Sequence, residues 1–433
     1  MKLPNKKWMI SFREKAKSNS IYDLRFWIYD LRFTILDLRF TDNYSLITVH
    51  FQMKRIFLSL SLLALTLSAC APAAPPPTQD MSAALTQAFG TAFAQLQPTP
   101  TSLPTGTPVP PPTAIRTPPM LPSIFVASQI NPLDVPHTYI QDSCEYLLNK
   151  WSSTNAAPGT VVMVIMFHGI NRDSVDNPND ILVPDFKRMM KDLKDQGFEA
   201  INMTQMADFM DRNAKIPARS VLLISDDRHQ GEYFDDHFRP YFNEWGWQVV
   251  NGWISLEDGP RAISIDANIA LEKEGWVDHQ SHGYIHNINM SDSSTDEFIR
   301  TEFEKSIADL QTNFGKTPVG IIWPGGSFGI RPVQFAREYN YRLGFTINPR
   351  GPVMYNWIPL ADQPDPARPA FLPEGYVNDP RMVIPRYWPY QVSANIDTVR
   401  QIGNQAAEYA EQNKAVELEY YDIVCAPTYG AMP

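Results

Sequence analysis

Four consecutive apolar residues, Val221-Leu222-Leu223-Ile224, run into Ser225, Asp226 and Asp227. A short apolar run that ends in carboxylates reads as a buried strand delivering acidic groups at its C-terminal end. The same pattern recurs on both sides of it. Thr160 to Phe167 is a nearly continuous apolar run ending at His168, and Val319 to Trp323 runs into Pro324-Gly325-Gly326. Trp247–Ser255, Leu343–Ile347 and Met382–Ile384 read as further strands, the last ending at Pro385-Arg386.

Between these runs the apolar period changes from continuous to helical. Pro184-Asp185 opens a helix through Gln196 with Phe186, Met189, Met190 and Leu193 on one side and Gly197 as its stop. Tyr233–Trp245 and Ile265–Gly275 read as helices, and Arg331–Tyr339 as another. Ser294-Thr295-Asp296-Glu297 has the form of a capping box. It heads a helix with Phe298, Phe303, Ile307, Leu310 and Phe314 at helical spacing and Gly315 as its stop. Strand followed by helix, repeated, with polar chemistry at strand ends, predicts an α/β fold of the irregular (β/α)-barrel kind.

The chemistry gathers at those strand ends. Two neighbouring aspartates cannot both sit uncompensated beside apolar walls, because like charges that close push one pKa up unless a cation holds them. His282 and His286, four residues apart in Ser281-His282-Gly283-Tyr284-Ile285-His286, fall on one face of a helix-like turn and can converge on one ion. One carboxylate with two imidazoles is a common catalytic zinc set that leaves a position open for water. His168 can face the same mouth, and the glycines after Pro324 let backbone N–H groups approach a ligand. The second Asp-Asp pair, Asp235-Asp236, falls inside a helix with no apolar strand before it and is assigned to a solvated face. His279 is assigned an exposed or supporting role and His229 a place at the rim. Trp253, Trp323 and Trp388 stand near strand ends, although most tryptophans of the chain are expected in the core.

Composition changes the picture mainly at the N-terminus. Of the 38 prolines in 433 residues, 14 lie between residues 71 and 122. The sequence therefore predicts one large domain, 123–433, behind a tether, 71–122, of extended Pro/Thr-rich chain. Within the tether, Met81 to Gln97 has helical spacing and reads as a transient helix. Met53-Lys54-Arg55, an apolar run and Leu67-Ser68-Ala69-Cys70 describe an export signal over 53–70, too short to span a membrane. Its ending resembles the bacterial lipoprotein box, which implies a lipidated Cys70 and a membrane anchor. Residues 1–52 carry Asp-Leu-Arg-Phe at 23, 30 and 37 and read as an upstream extension ahead of a start at Met53. With Cys70 lipidated, Cys144 and Cys425 remain as an even pair in an exported protein and are expected to form a disulfide. A net charge of −10 offers no basic footprint, so nucleic acid is not an expected partner. Oligomeric state is not legible.

Taken in order, Phe167-His168, Gly197-Phe198, Asp226-Asp227, His282-x-x-x-His286, Trp323-Pro324-Gly325-Gly326 and Tyr341-Arg342-Leu343-Gly344-Phe345-Thr346 resemble the polysaccharide deacetylases of carbohydrate esterase family four. The similarity runs over roughly residues 160 to 390. It points to the branch whose catalytic histidine lies early in the domain, as in poly-N-acetylglucosamine deacetylases. The resemblance implies a distorted, incomplete (β/α) barrel and removal of acetyl groups from an acetylated glycan. It implies Zn²⁺ or another divalent transition metal on Asp227, His282 and His286, with Asp226 as general base and His168 as general acid. It also implies the Gly325 N–H at the oxyanion.

The departures are Ser225 and Arg228, where the family reads aromatic and glycine, and Ile322 and Trp323, where it carries an arginine that braces the base. Arg386 is the substitute expected for that arginine, and Arg228 is expected beside the site, narrowing it or lowering the carboxylates' pKa values. These departures motivate a second reading, a glycan-binding lipoprotein that keeps the fold without turnover. A third is a tethered surface protein with the barrel as scaffold.

Overall fold

The computed structural model describes residues 116–433 apart from 176, 367, 369 and 370. The extension, the signal segment with Cys70 and the tether up to residue 115 lie outside the described residues. Residues 116–433 fall in one compact unit.

Seven parallel strands form the central sheet: β1 Val161–Phe167, β2 Glu199–Ala200, β3 Arg219–Ser225, β4 Val249–Trp253, β5 Val277–Ser281, β6 Gly320–Ile322 and β7 Leu343–Phe345. Their order is β7-β6-β5-β4-β3-β1, with β2 paired to the first half of β3. β1 and β3 run in full register from Val161↔Arg219 to Phe167↔Ser225. Both are covered on two faces, which is why they read as unbroken apolar runs and not as alternation. Alternate residues nonetheless serve different cores. Val162, Val164, Leu222 and Ile224 pack into one cluster, and Val161, Met163, Ile165, Val221 and Leu223 into the other.

The helices follow. They are α1 Ser143–Trp151, α2 Val183–Asp195, α3 Met203–Arg212, α4 Gly231–His237, α5 Arg239–Trp245, α6 Gly259–Glu274, α7 Asp296–Phe314, α8 Ile330–Glu338 and α9 Val392–Tyr420. α2 buries Phe186, Met189, Met190 and Leu193, the stripe expected from sequence. Several boundaries differ for physical reasons. The expected helix over Tyr233–Trp245 is two helices meeting at Phe238, because the Pro240 ring cannot follow a continuous helix and removes a donor. α6 begins earlier than expected, capped by the Asp258 carboxylate on the Arg261 N–H. α7 is capped by Thr295, whose hydroxyl accepts from the Phe298 N–H, so the cap lies one residue past the Ser294 start and the expected box does not form. α9, the longest helix, went unread; Ile396, Val399, Ile402, Ala406 and Ala410 are its buried stripe.

The sheet curls without closing. Between its edges lies Ile384–Tyr387. On one side Met166 donates to the Tyr387 carbonyl and Tyr387 to that of Val164; on the other, Thr346 donates to the Ile384 carbonyl and Ile384 to that of Gly344. The strand expected over Met382–Ile384 is therefore a 3-10 turn, Pro380–Met382, followed by single bridges, since Pro385 has no N–H for a ladder. This is the distorted, incomplete barrel anticipated from sequence, and it places the residue after Pro385 against the C-terminal ends of β1 and β7.

Cys144 on α1 and Cys425 after α9 are joined by a disulfide across 281 residues. Residues 116–122, assigned to the tether, partly lie on the domain: Arg116 pairs with Glu419 and Asp422, and Leu121 packs by Leu147, Tyr421 and Cys425. Among the described residues no helix is long and apolar enough to cross a membrane.

Candidate active site

The loops leaving the C-terminal ends of β1, β3, β5 and β6 meet. β3 delivers Asp226, 1% exposed, whose N–H is held by the Phe167 carbonyl of β1 at 2.8 Å. Asp227 and Arg228 then take left-handed backbone conformations, φ 70° and 53°, and His286 does the same at 64°. Such residues cost on the order of 1–3 kcal/mol each and persist only where the surroundings determine them. At Arg228 the surroundings are explicit. Its N–H donates to the Gly252 carbonyl, and its guanidinium donates to the carbonyls of Ile254 and Leu256 and to both oxygens of Asp258, at 2.8–3.0 Å. Arg228 thus turns away from Asp226 and fastens the next loop. The lowering of the carboxylates expected from it comes instead chiefly from Arg386 and the neighbouring histidines.

His282 leaves β5 and His286 follows through an irregular bend, not a helix-like turn. The two still converge because Gly283 (φ 75°) reverses the chain and Glu302, fully buried on α7, accepts the N–H groups of Tyr284 and Ile285 at 2.7 and 2.9 Å. A Cβ on Gly283 would lie 2.7 Å from that carboxylate and 3.0 Å from Pro324 Cγ. The His-bearing bend is thereby pressed against the Pro324–Gly326 turn, where Gly325 also has a left-handed backbone, φ 59°.

Asp227, His282 and His286 offer ligand atoms within 4.8 Å of one another. The Asp227 Oδ1 lies 3.5 Å from His282 Nε2 and 3.2 Å from His286 Nε2. Ligands bonded to one zinc at about 2.0–2.1 Å in tetrahedral array stand about 3.3 Å apart, so the spacing fits a shared ion. The ring's partners fit as well. In the neutral ring, donation from His282 Nδ1 to the Ile322 carbonyl at 2.8 Å leaves the Nε2 lone pair for an ion, whereas the protonated ring donates from Nε2 to Asp227. Burial and the neighbouring His282 push His286 down to about 4, so its imidazole is neutral at neutral pH. Burial works against the charge on Asp227, yet the hydrogen bond and charge of His282, with His168 and His286, hold it far below the usual carboxylate range. Burial lowers His282, but the Asp227 and Asp226 carboxylates outweigh it and raise it.

Asp226 lies beside this set with a different partner. Arg386, fully buried, makes a fork of two bonds to it, Nη1–Oδ1 2.7 Å and Nη2–Oδ2 2.9 Å, and its Nε donates to the Thr346 carbonyl. Burial raises the Asp226 pKa, but Arg386 first, then His282 and His168, bring it below the ordinary value. Arg386 therefore makes the contact with Asp226 that was expected of it. His168 also approaches Asp226, Nε2 3.7 Å from Oδ2, its ring stacked on Trp388 at 5.7 Å. The His168 carbonyl accepts from the Tyr233 hydroxyl, which also receives the Ser225 hydroxyl. Ser225 is tied into the wall in this way.

The remaining assignments sort by burial. His279 is neither exposed nor a ligand: it is fully buried, with Nδ1 on Glu272 and Nε2 on Asn268, both at 2.8 Å. His229 stacks on Tyr233 at 3.6 Å, and burial takes it down to about 4. Asp235 and Asp236 are exposed on α4, as expected. Trp253 and Trp323 are core residues. Glu302 was missed in the sequence, although a signal exists: it is the one charged residue in the stripe Ile299, Glu302, Phe303, Ser306, Leu310.

The family model for polysaccharide deacetylases matches residues 263–344, which carry His282, His286 and the Pro324–Gly326 turn. The curled parallel sheet is the fold of that class. Among solved structures, the chain is similar to the Streptococcus pyogenes deacetylase PplD in complex with acetate, at 17% identity over 56% of this chain and 99% of that one, TM-score 0.45. It is also similar to IcaB from Ammonifex degensii, 15% identical over 58% of this chain and all of that one, TM-score 0.40. The BpsB deacetylase domain from Bordetella bronchiseptica is 18% identical over 53% of this chain and 95% of that one, TM-score 0.39. No curated protein sequence matches significantly.

Proposed function

We propose that the domain is a metal-dependent hydrolase that removes acetyl groups, from nitrogen or from oxygen, on a cell-surface or extracellular polysaccharide. The observation that carries this reading is the junction of two unlike carboxylates. Asp227 shares a cation-shaped space with His282 and His286, while Asp226 is held ionised by Arg386 within reach of His168. A divalent transition metal, Zn²⁺ first among the candidates for an Asp-His-His set, would supply Lewis acidity and a water of lowered pKa.

The chain's own groups divide the rest. Asp226 receives the proton of the attacking water, and Arg386 fixes its two oxygens so that neither rotates away. The Gly325 N–H donates to the oxygen that gains charge as the acetyl carbon becomes tetrahedral. His168 delivers a proton to the departing amine or alkoxide, oriented by the Trp388 stack. Acetate and a free amine, or a free hydroxyl, result.

The reading without turnover rested on Ser225, Arg228 and a missing arginine. Arg386 now braces Asp226, and Arg228 is occupied elsewhere. In the same proposal the protein is exported and anchored through a lipidated Cys70, with Pro/Thr-rich chain between anchor and domain. The test is acetate release from a panel of N- and O-acetylated glycans, with chelator and Zn²⁺ add-back. Release abolished by chelator and restored by metal is expected; none under any condition sinks the hydrolase reading.

A further inference from the structure

No hydrogen bond within the described residues orients the His168 ring. Its Nδ1 is buried without a partner, and its Nε2 stands 3.7 Å from Asp226 Oδ2, beyond hydrogen-bond reach. The direction of the imidazole is therefore left to the Trp388 stack and to the backbone that carries it. That backbone is held from both sides. The His168 carbonyl accepts the Tyr233 hydroxyl at 3.1 Å, and the N–H of the same peptide, on Gly169, donates to Asp180 Oδ1 at 2.9 Å. A Cβ on Gly169 would stand 2.6 Å from Asp180 Cγ, so the carboxylate reaches this peptide because residue 169 is glycine. Both partners are themselves held. Asp180 Oδ2 accepts from the Asn171 side chain at 2.8 Å. The Tyr233 ring lies flat on His229, at 3.6 Å and 8°, with the His229 carbonyl tied to Asn268 at 3.0 Å, and its hydroxyl oxygen accepts from Ser225 at 3.1 Å. Burial raises the Tyr233 pKa, so the hydroxyl keeps the proton it donates.

We propose that Tyr233 and Asp180 are positioning residues for the general acid. By holding opposite ends of the planar His168–Gly169 peptide they fix the angle at which the His168 side chain leaves the end of β1, and with it the point where the proton is delivered. This rests on the deacetylase reading above, in which His168 protonates the leaving group. A group displaced by about 1 Å loses on the order of 10²-fold in rate, so a ring with no hydrogen bond of its own depends on the peptide behind it. Ser225 joins the same clamp. Its hydroxyl donates into the Tyr233 oxygen, which leaves the Tyr233 proton to the His168 carbonyl. Neither Tyr233 nor Asp180 belongs to the Asp227, His282 and His286 set, so the clamp is separate from the candidate metal site.

The test exploits leaving groups. 4-Nitrophenolate departs without taking a proton, whereas an amine must be protonated as it leaves. The ratio of kcat for an N-acetylglucosamine hexamer to kcat for 4-nitrophenyl acetate therefore reads the acid selectively. Tyr233→Phe, which removes one oxygen and keeps the ring, is expected to cut that ratio about tenfold with metal content unchanged, within the limit of about 10²–10⁴-fold that His168→Ala sets. Asp180→Ala, read the same way, decides the question should Tyr233→Phe fail to fold. A ratio equal to that of the unsubstituted domain, whether both rates fall together or neither falls, overturns the positioning role and leaves the deacetylase reading standing. If the aryl acetate is hydrolysed and the hexamer is not, the reading of the substrate fails, and ethyl acetate in place of the hexamer decides the positioning role by the same ratio. Hydrolysis of no substrate by the unsubstituted domain overturns both.

Discussion

Arg386 is the residue on which stability and chemistry meet. Its guanidinium is fully buried and spends two N–H groups on Asp226, at 2.7 and 2.9 Å, and Nε on the Thr346 carbonyl. Removing it in Arg386→Ala leaves a carboxylate 1% exposed without its main cation. Truncating one partner of a buried pair costs about 3–5 kcal/mol, because the other charge stays buried. The second consequence follows from what sets the Asp226 pKa. Burial pushes it up and Arg386 leads the opposing effects, so without Arg386 the balance turns upward. Each unit of that rise is worth about 1.4 kcal/mol.

The sign is then fixed. A base that titrates higher moves the ascending limb of kcat/KM toward alkaline pH, and activity at neutrality falls by about tenfold per unit once the limb passes it. Stability moves with it. A carboxyl held below its unfolded value contributes above about pH 3.9 and loses that contribution as pH falls through the folded value, so the deficit of Arg386→Ala is largest near neutrality and shrinks in acid. Arg386→Lys keeps a charge but not the fork, and it guards against outright loss of the fold. The assay is acetate release across about pH 5–9, with thermal melting in parallel. A folded Arg386→Ala or Arg386→Lys protein with an unshifted ascending limb would refute the reasoning.

Asp227→Asn and His286→Ala are expected to lose the bound ion in equilibrium metal analysis, whereas His279→Gln keeps it, since His279 is committed to Glu272 and Asn268; metal retained by His286→Ala contradicts the assignment. Glu302→Gln should weaken Zn²⁺ affinity by about tenfold in a competition titration, because Tyr284 and Ile285 donate to different carboxylate oxygens and the amide replaces one of them with a donor; unchanged affinity would show that the bend holds its shape without the carboxylate. Reducing Cys144–Cys425, which closes a span of 281 residues, should lower the unfolding free energy by up to about 5 kcal/mol on chain entropy, and the denaturant midpoint with it, without changing metal content. Coincident midpoints with and without reductant would contradict it.

Much of the site was legible because local pattern carried it. β3 and its Asp-Asp, the histidine at the end of β1 and the glycine turn after β6 each follow an apolar run that strand formation explains. What stayed hidden depends on contacts distant in sequence. The Asp226–Arg386 fork joins positions 160 residues apart, and Arg386 was expected there only through the family resemblance, since no local period announces which arginine reaches Asp226. Arg228 follows Asp227 directly, yet the left-handed backbone swings it toward Asp258, and a dihedral angle cannot be read from residue order. His279, on β5, is taken up by Glu272 and Asn268 of α6, although it is only three residues from His282 of the candidate metal set. The long α9 was missed although its buried stripe is regular, because its exposed side and its Gly403 weaken the pattern.

The most direct test of the central claim is metal content and acetate release measured together on the domain and on Asp226→Asn. The account predicts one bound divalent ion in both proteins, because Asp226 is not among the three converging ligands, and acetate released only by the unsubstituted domain. Equal acetate release from the two would contradict the assignment of Asp226 as the base, and an ion lost from Asp226→Asn would contradict the division of labour between the two carboxylates.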